Sequence, residues 1–445
     1  AQGDDELEGV LGVGDAGAAG WTVMGLLAAT GATLSLLPLV GYLVGAGVTN
    51  PDLTSHAGGV VSRAPGKLYI AGEYAVVEPG HRAVLVAVDR FITVRITPCS
   101  PAGEYAGTIS SRLYATGSRP WRRRPQDGQA EAVGGEDDYI ISAIRVVEAL
   151  VTQGGDRPHS FDLSVSSELE EDDGRKLGLG SSSAVTVATV RAVATFYGVA
   201  ANDLTVYKLA MLASDTVQPI GSGGDIAASA MTGWVAYTSP DRSWLRRARQ
   251  RAGAGGMSDL VEADWPGLSV RRLPSPSLRL QVGWTGAPAS TPALVADVQT
   301  RSHGADDYTV FLRDSQDCLA RLITAIEDDD AARIMRQIAR NRALLAGLSR
   351  IGDRTIETAE LARLVEIALD HGAAAKSSGA GGGDCGIALC PPATDLVALR
   401  AAWETAGIRP LDLSVYSQDS SAACAADPTE AHADSSTASP VKVTP

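Results

Sequence analysis

The run Lys176-Leu177-Gly178-Leu179-Gly180-Ser181-Ser182-Ser183-Ala184 decides how the rest of the chain is read. It stands directly before a strongly helical stretch, Val185 to Tyr197. Gly178 and Gly180 let the backbone approach a ligand closely and adopt angles that other residues avoid. The three serines fall where the helix begins, where backbone N–H groups have no partner within it. Such a terminus is a ready anion site, and serine hydroxyls there add phosphate hydrogen bonds or a Mg²⁺ ligand. The competing reading is an ordinary glycine turn with a serine N-cap. Two other phosphate loops are set aside. No Gly-Lys-Ser or Gly-Lys-Thr occurs, as a P-loop requires. The preceding residues, Glu170–Arg175, form a polar turn instead of the strand that a dinucleotide fingerprint needs.

At 445 residues and 45% hydrophobic, the chain can bury a core large enough for one large or two modest domains. Its net charge of −14 is concentrated at the ends. Residues 1–59 hold six acids and no Lys or Arg, and the tail from Ser417 holds four acids and one lysine. The remainder is only mildly acidic and shows no basic stripe, so a nucleic-acid partner is not expected. The one basic cluster of the first half, Arg122-Arg123-Arg124, reads as a solvated loop. Five cysteines (Cys99, Cys318, Cys385, Cys390, Cys424) form no Cys-x-x-Cys pair, which fits a reduced, cytoplasmic protein better than a disulfide frame or a zinc site. Residues 16–51 carry no charge over 36 positions, long enough to span a bilayer. The leading residues are acidic, unlike a secretory signal. Membrane contact through 16–51 stands against a poorly structured extension with no catalytic role.

From Val60 the texture changes. Val60–Glu78 and Ala83–Thr97 read as strands around a Pro79-Gly80 turn. Asp137–Leu150 has helical spacing, Ser160–Ser166 alternates as a strand, and Leu204–Ser214 is a further helix. Gly221-Ser222-Gly223-Gly224-Asp225 then runs into an alanine-rich helix, where Asp225 is either an N-cap or a site residue. Residues 239–277, Arg-rich and then Gly-rich, read as an insertion. Leu278–Thr285 is a strand, followed by helices at Thr309–Ile326, Ala331–Leu348 and Ile356–His371. The loop Lys376–Asp384 leads into the strand Gly386–Leu389, the helix Leu396–Ala406 and a last strand, Leu411–Val415. The Ser/Ala/Asp/Thr-rich tail from Ser417 is expected to be disordered.

Each glycine turn is a weak signal, but their order is not: Ala64-Pro65-Gly66-Lys67 with Ala71-Gly72-Glu73-Tyr74, then Gly178–Ser183, then Gly-Gly-Asp225, then Ser378-Gly379-Ala380-Gly381-Gly382-Gly383-Asp384. This order resembles the GHMP kinase superfamily from Val60 to about Tyr416. The finer likeness is to bacterial-type phosphomevalonate kinases. It is carried by Ala64–Leu68, Ala71–Gly80, Val282–Thr291 and Asp264-Trp265-Pro266-Gly267, and by the missing proline at the head of the phosphate loop. Residues 1–59 and the tail match nothing in that family.

The resemblance implies an α+β, two-domain GHMP kinase fold, with a ribosomal-protein-S5-like N-terminal domain and a ferredoxin-like C-terminal domain. Residues 60–238 would bind ATP, 239–277 would be the insertion and 278–416 the C-terminal domain, with 1–59 and 417–445 as extensions. Lys67 and Asp225 would be the catalytic pair. Lys176, Gly178, Leu179, Gly180, Ser181, Ser182 and Ser183 would hold the ATP phosphates, Ser182 also binding Mg²⁺. Ser290, Thr291, Ser378, Gly379, Ala380 and Gly381 would line the substrate side. The implied reaction is ATP-dependent phosphorylation of the small molecule phosphomevalonate in isoprenoid biosynthesis. The alternatives are a mevalonate kinase or other GHMP kinase, a non-catalytic binding protein on the same fold, and a membrane-tethered interaction protein. The oligomeric state is not legible.

Overall fold

A computed structural model describes residues 52–286 and 306–418, apart from Ala57, Leu113, Ala115, Asp172 and Ile220. The apolar stretch 16–51, the tail from residue 419, and the candidate residues Ser290 and Thr291 lie outside the described residues. No helix among the described residues is long and apolar enough to cross a membrane.

The first half builds a nine-stranded sheet. Its strands are β1 (Leu53–His56), β2 (Gly59–Ala71), β3 (Arg82–Pro98), β4 (Gly107–Ser111), β5 (Ser118–Arg123), β6 (Ala130–Ala132), β7 (Phe161–Ser167), β8 (Trp234–Thr238) and β9 (Ser269–Leu273). The order is β1-β2-β3-β7-β4-β5-β6, with β8 pairing both β3 and β9. The early half of β2 alternates between half-buried and buried positions, whereas everything after Gly66 is buried. The helices α1 (Tyr139–Gln153), α2 (Ser181–Phe196), α3 (Asp203–Val217) and α4 (Gly224–Met231) account for part of this, since α2 and α4 pack on β2. A strand covered on both faces reads as a continuous apolar run.

Helix α2 is buried along nearly its whole length, from Ser183 to Ala194. That explains its composition of Ala, Val and Thr, because a helix surrounded by protein has no polar face to offer. Helix α1 is capped by Asp138, whose carboxylate accepts from Ile140 N at 3.0 Å and Ile141 N at 3.1 Å.

Two expectations are corrected. The strand read through to Glu78 ends at Ala71, since Tyr74 takes φ +63° and Ala75–Val77 forms a single 3₁₀ turn. A non-glycine residue at positive φ cannot continue a strand. Arg122-Arg123-Arg124 is not a solvated loop: its first two residues end β5 and each side chain is paired. Arg122 meets Glu131 at 2.7 Å, Arg124 meets Asp127 at 2.8 Å, and Arg123 meets the buried Glu148 at 2.6 Å while lying 4.9 Å over the Trp121 ring. Trp121 is fully buried and donates from Nε1 to Phe161 O at 3.2 Å. Trp121→Ala should therefore cost about 3–5 kcal/mol of stability, read as a lowered midpoint in denaturant unfolding. A loss under about 1 kcal/mol would mean the site collapses to fill the gap.

Residues 239–277 form α5 (Arg242–Ala252), α6 (Met257–Glu262) and β9, so the segment extends the large sheet through β8. The second sheet contains β10 (Arg279–Trp284), β11 (Ala374–Ser377), β12 (Cys385–Cys390) and β13 (Arg409–Leu411) in the order β11-β12-β10-β13, all antiparallel. Its helices are α7 (Asp306–Glu327), α8 (Ala331–Ile351), α9 (Ala359–Asp370) and α10 (Leu396–Thr405). Strand, helices, two strands, helix, strand, with the first strand central, is the split βαβ arrangement of ferredoxin-like domains. The last strand lies earlier than the expected Leu411–Val415, at Arg409–Leu411. After Leu411 the chain returns to the first sheet, where Asp89 N donates to Ser414 O at 3.1 Å and Tyr416 N to Ala87 O at 2.9 Å.

Candidate active site

Four pieces of backbone converge on one open cleft. They are the end of β2 with the strap that follows it, the start of α2, the loop before α4, and the loop between β11 and β12. The cleft encloses about 970 Å³, the space at its mouth included.

Lys67 occupies its floor, 7% exposed. The Pro-Gly before it has a physical reason. The β2–β3 pairing shifts register between Pro65 and Gly66, where the proline has no N–H to give. At Gly66 a Cβ would stand 2.8 Å from Leu169 Cδ2 and 3.0 Å from Leu179 O, so only glycine lets the phosphate loop seat this close. Leu179 O then accepts from Lys67 N at 2.8 Å. The strand and the loop are thus tied at the residue that carries the charge. Lys67 Nζ lies 3.6 Å from Asp225 Oδ2, 3.5 Å from Gly178 O and 5.6 Å from the centre of the Tyr69 ring.

Asp225 is not the N-cap. Gly223 holds that position, and Asp225 sits in the first turn of α4 with its side chain one-third exposed to the cleft. The loop ahead of it is braced from behind by Arg242, which meets Asp215 at 2.7 Å and donates to Gly221 O at 2.7 Å and Pro219 O at 2.9 Å.

At the start of α2, Gly180 takes φ +82°, ψ +47°, and Ser183 Oγ donates to Gly180 O at 2.7 Å. The Ser183 hydroxyl is thereby engaged with backbone, whereas Ser182 is exposed on the cleft wall. Gly178, Ser182 and Ser183 line the cleft. Leu179 is a buried anchor, while Lys176 is exposed and stands outside the lining, as does Ser181. On the opposite side Ser378, Gly379 and Ala380 line the cleft. Ser378 Oγ accepts from Tyr69 N and donates to Tyr69 O, both at 2.9 Å, so it clamps the two halves together. Gly381 is buried away from the cleft, and the neighbouring Gly382 N donates to Ile356 O at 2.8 Å.

Sequence reasoning did not single out Tyr69, Glu73, Tyr139, Gln218 or Lys376. A signal existed for Tyr69, because residues two apart on a strand share a face and it follows Lys67 at that spacing. Its hydroxyl shares a hydrogen bond with Ser222 Oγ at 3.0 Å. Burial pushes the Tyr69 phenol well above its ordinary pKa, and the nearby Asp225 charge adds to this. Burial raises the Tyr139 phenol as well; a hydrogen bond with Ser182 opposes this, and the Asp225 charge adds to it. Both shifts favour the protonated phenol. Tyr139 Oη donates to Gln218 Oε1 at 2.9 Å.

A recessed cation and a helix start that presents the exposed Ser182 suit a polyanionic ligand. No histidine or cysteine lines the cleft among the described residues, and no cluster of three or more His, Cys, Asp or Glu forms a metal cage among them. Mg²⁺ needs no such cage, since it keeps several waters and takes one or two protein oxygens beside phosphate. The exposed Ser182 fits that demand.

The family model for the GHMP kinases N-terminal domain matches residues 138–233, and that for the GHMP kinases C-terminal domain matches residues 322–409. A phosphomevalonate kinase of Streptomyces sp. (strain CL190) is 44% identical over 367 residues, which is 80% of this chain and 96% of that protein. A Lin0012 protein from Listeria innocua superposes with a TM-score of 0.73 at 33% identity, covering 80% of this chain and 97% of that one. A phosphomevalonate kinase from Streptococcus pneumoniae, in complex with phosphomevalonate and AMPPNP, does so with a TM-score of 0.68 at 28% identity, covering 80% and 99%. The chain belongs to the GHMP kinase family.

Proposed function

We infer that this protein is a phosphomevalonate kinase, moving the γ-phosphoryl group of ATP onto (R)-5-phosphomevalonate to give 5-diphosphomevalonate and ADP. The carrying observation is 44% identity to a phosphomevalonate kinase over 96% of that protein's length. The cleft geometry supports it. Residues 60–238 form the ATP-binding domain and 278–416 the domain that closes on the acceptor. The segment 239–277 belongs with the first domain, whose sheet β9 extends. We place the enzyme in the cytoplasm, where the free Cys99, Cys318, Cys385 and Cys390 stay reduced.

The ATP phosphates lie across Gly178–Ser183 at the start of α2, where backbone N–H groups and the helix dipole favour negative charge. The Ser182 hydroxyl would help to hold Mg²⁺, which would supply charge neutralisation there. Lys67 sits between donor and acceptor and stabilises the charge that spreads over the transferred group. An oxygen of the acceptor phosphate forms the new P–O bond as the bond to the ADP oxygen breaks.

No proton has to leave the acceptor. A phosphate monoester has its second pKa at about 6, so at neutral pH it is mostly a dianion and already nucleophilic. Asp225 then serves to hold Lys67 and the acceptor in place. Asp225→Asn should lower kcat less than about tenfold, well short of the 10²- to 10⁴-fold that a general base contributes. It should also keep the rise of kcat/KM through about pH 6 that marks formation of the acceptor dianion. Loss of that limb together with a rate drop beyond a hundredfold would make Asp225 a true base.

The function is tested by ADP release from the full chain with ATP and Mg²⁺, offering mevalonate, phosphomevalonate and diphosphomevalonate in parallel. Turnover on phosphomevalonate alone is the expected result. Preference for mevalonate would move the acceptor from phosphate to hydroxyl, and no turnover on any of the three would leave a binding protein.

A further inference from the structure

Beneath the cleft, on the acceptor side, lies a buried ion pair to which no role has yet been given. Glu73, in the strap after β2, is 3% exposed and lines the cleft. Lys376, on β11, is fully buried and outside the lining. The Lys376 ammonium donates to Glu73 Oε1 and to Ser377 O, the latter at 2.5 Å. Gly379 N approaches the same Glu73 oxygen at 3.4 Å. Glu73 Oε2 is buried without a hydrogen-bond partner among the described residues, and no other basic side chain among them pairs with this carboxylate. Lys376 alone therefore offsets its charge.

That charge matters to whatever enters the cleft. Tyr69 and Tyr74 both line it, and both phenols are raised in pKa by burial first, with the Glu73 charge adding to the shift. Part of the Glu73 field thus reaches the cleft wall even with Lys376 beside it. An acceptor bearing a phosphate and a carboxylate carries about three negative charges near neutral pH, and an unpaired buried carboxylate beside it would repel each of them through a poorly screening medium.

We propose that Lys376 sets the acceptor specificity of this site without touching the ligand: by offsetting most of the charge of Glu73, it makes the cleft tolerate an acceptor that is already phosphorylated. The inference rests on the phosphomevalonate reading above. A neutral acceptor would place no such demand on the pair, and ATP, held at the other end by α2, depends on it little.

The test measures phosphomevalonate affinity by calorimetry, and KM for ATP, in four full-length proteins: wild type, Lys376→Met, Glu73→Gln and the double variant. Lys376→Met, with its carboxylate uncovered, should bind phosphomevalonate about 10- to 100-fold more weakly, with KM for ATP within about threefold of wild type. The double variant carries no unpaired buried charge and should recover affinity to within about threefold. Removing one partner of a buried pair endangers folding. Should Lys376→Met not fold, Glu73→Gln, which leaves the cation uncovered, must bind phosphomevalonate at least about tenfold more tightly than the double variant.

Equal affinity of Lys376→Met and the wild type would overturn the proposal. So would a double variant as weak as Lys376→Met, or Glu73→Gln binding no more tightly than the double variant. A wild type that neither binds nor phosphorylates phosphomevalonate would overturn the acceptor reading itself, and this inference with it. Wild-type turnover with unchanged variant affinities would overturn the inference alone.

Discussion

Replacing Lys67 with methionine should lower kcat by about 10²- to 10³-fold, the scale on which one preorganised charge-stabilising group acts. Methionine keeps the length and apolar stem of the side chain and removes only the ammonium. That ammonium sits in a 7% exposed residue, 3.6 Å from Asp225 and within 5.6 Å of the Tyr69 ring, so little water screens it. Its effect should appear where charge spreads in the transition state, and KM for ATP should move less than about tenfold. Lys67→Arg should restore the charge but not the rate. The stem passes directly against Gly180, where a Cβ would meet Lys67 Cε at 2.7 Å, and a planar guanidinium has no room to take the same path. Steady-state and single-turnover ADP formation would read both variants. A rise in KM with kcat retained would show that Lys67 only binds substrate, and the catalytic assignment would fall.

Gly180→Val should lower kcat/KM for ATP by about 10²- to 10³-fold. Two costs coincide there. The residue holds φ +82°, ψ +47°, a left-handed conformation in which a β-branched side chain is a genuine outlier. The added Cβ would also meet Lys67 Cε at 2.7 Å, Lys67 Cγ at 3.0 Å and Ser183 Oγ at 3.1 Å. The hydroxyl of Ser183 closes the first turn of α2 on Gly180 O, so relieving the clash opens the phosphate-binding turn and displaces the lysine together. Both kcat and KM for ATP should therefore worsen, whereas Lys67→Met affects chiefly kcat. A variant that loses thermal stability but keeps its kcat/KM would show that the Gly178–Ser183 turn is scaffold and not the phosphate site.

Much of this was legible from local patterns. The helix starting at the three serines, the strands around Pro79-Gly80 and the helices of the second half follow from periodicity, turn chemistry and capping, which act over a few residues. The ordered set of glycine turns pointed to the fold and to the pairing of Lys67 with Asp225. The strand end at Ala71 was missed for a local reason, the positive φ of Tyr74, whereas the arginines were misread because of distant neighbours. The arginines at 122–124 looked like a loop because Glu148 and Phe161, which hold Arg123 and Trp121, lie 25 and 40 positions further along.

Sequence alone thus established the glycine turns, caps and apolar periods, which are written in consecutive positions, and through them a family likeness that implied the α+β layout and the residues of the cleft. Tertiary structure alone decided which of the serine hydroxyls are exposed. Ser182 faces the cleft while Ser183 is engaged by Gly180 and Ser378 by Tyr69, a distinction that composition cannot carry. It also decided that Glu73 and Lys376, separated by 303 positions, share one buried charge balance. The physical reason is common to both. Hydrogen bonding and electrostatics depend on distance in space and on exclusion of water, and the folded chain sets these by contacts that no local stretch of residues contains.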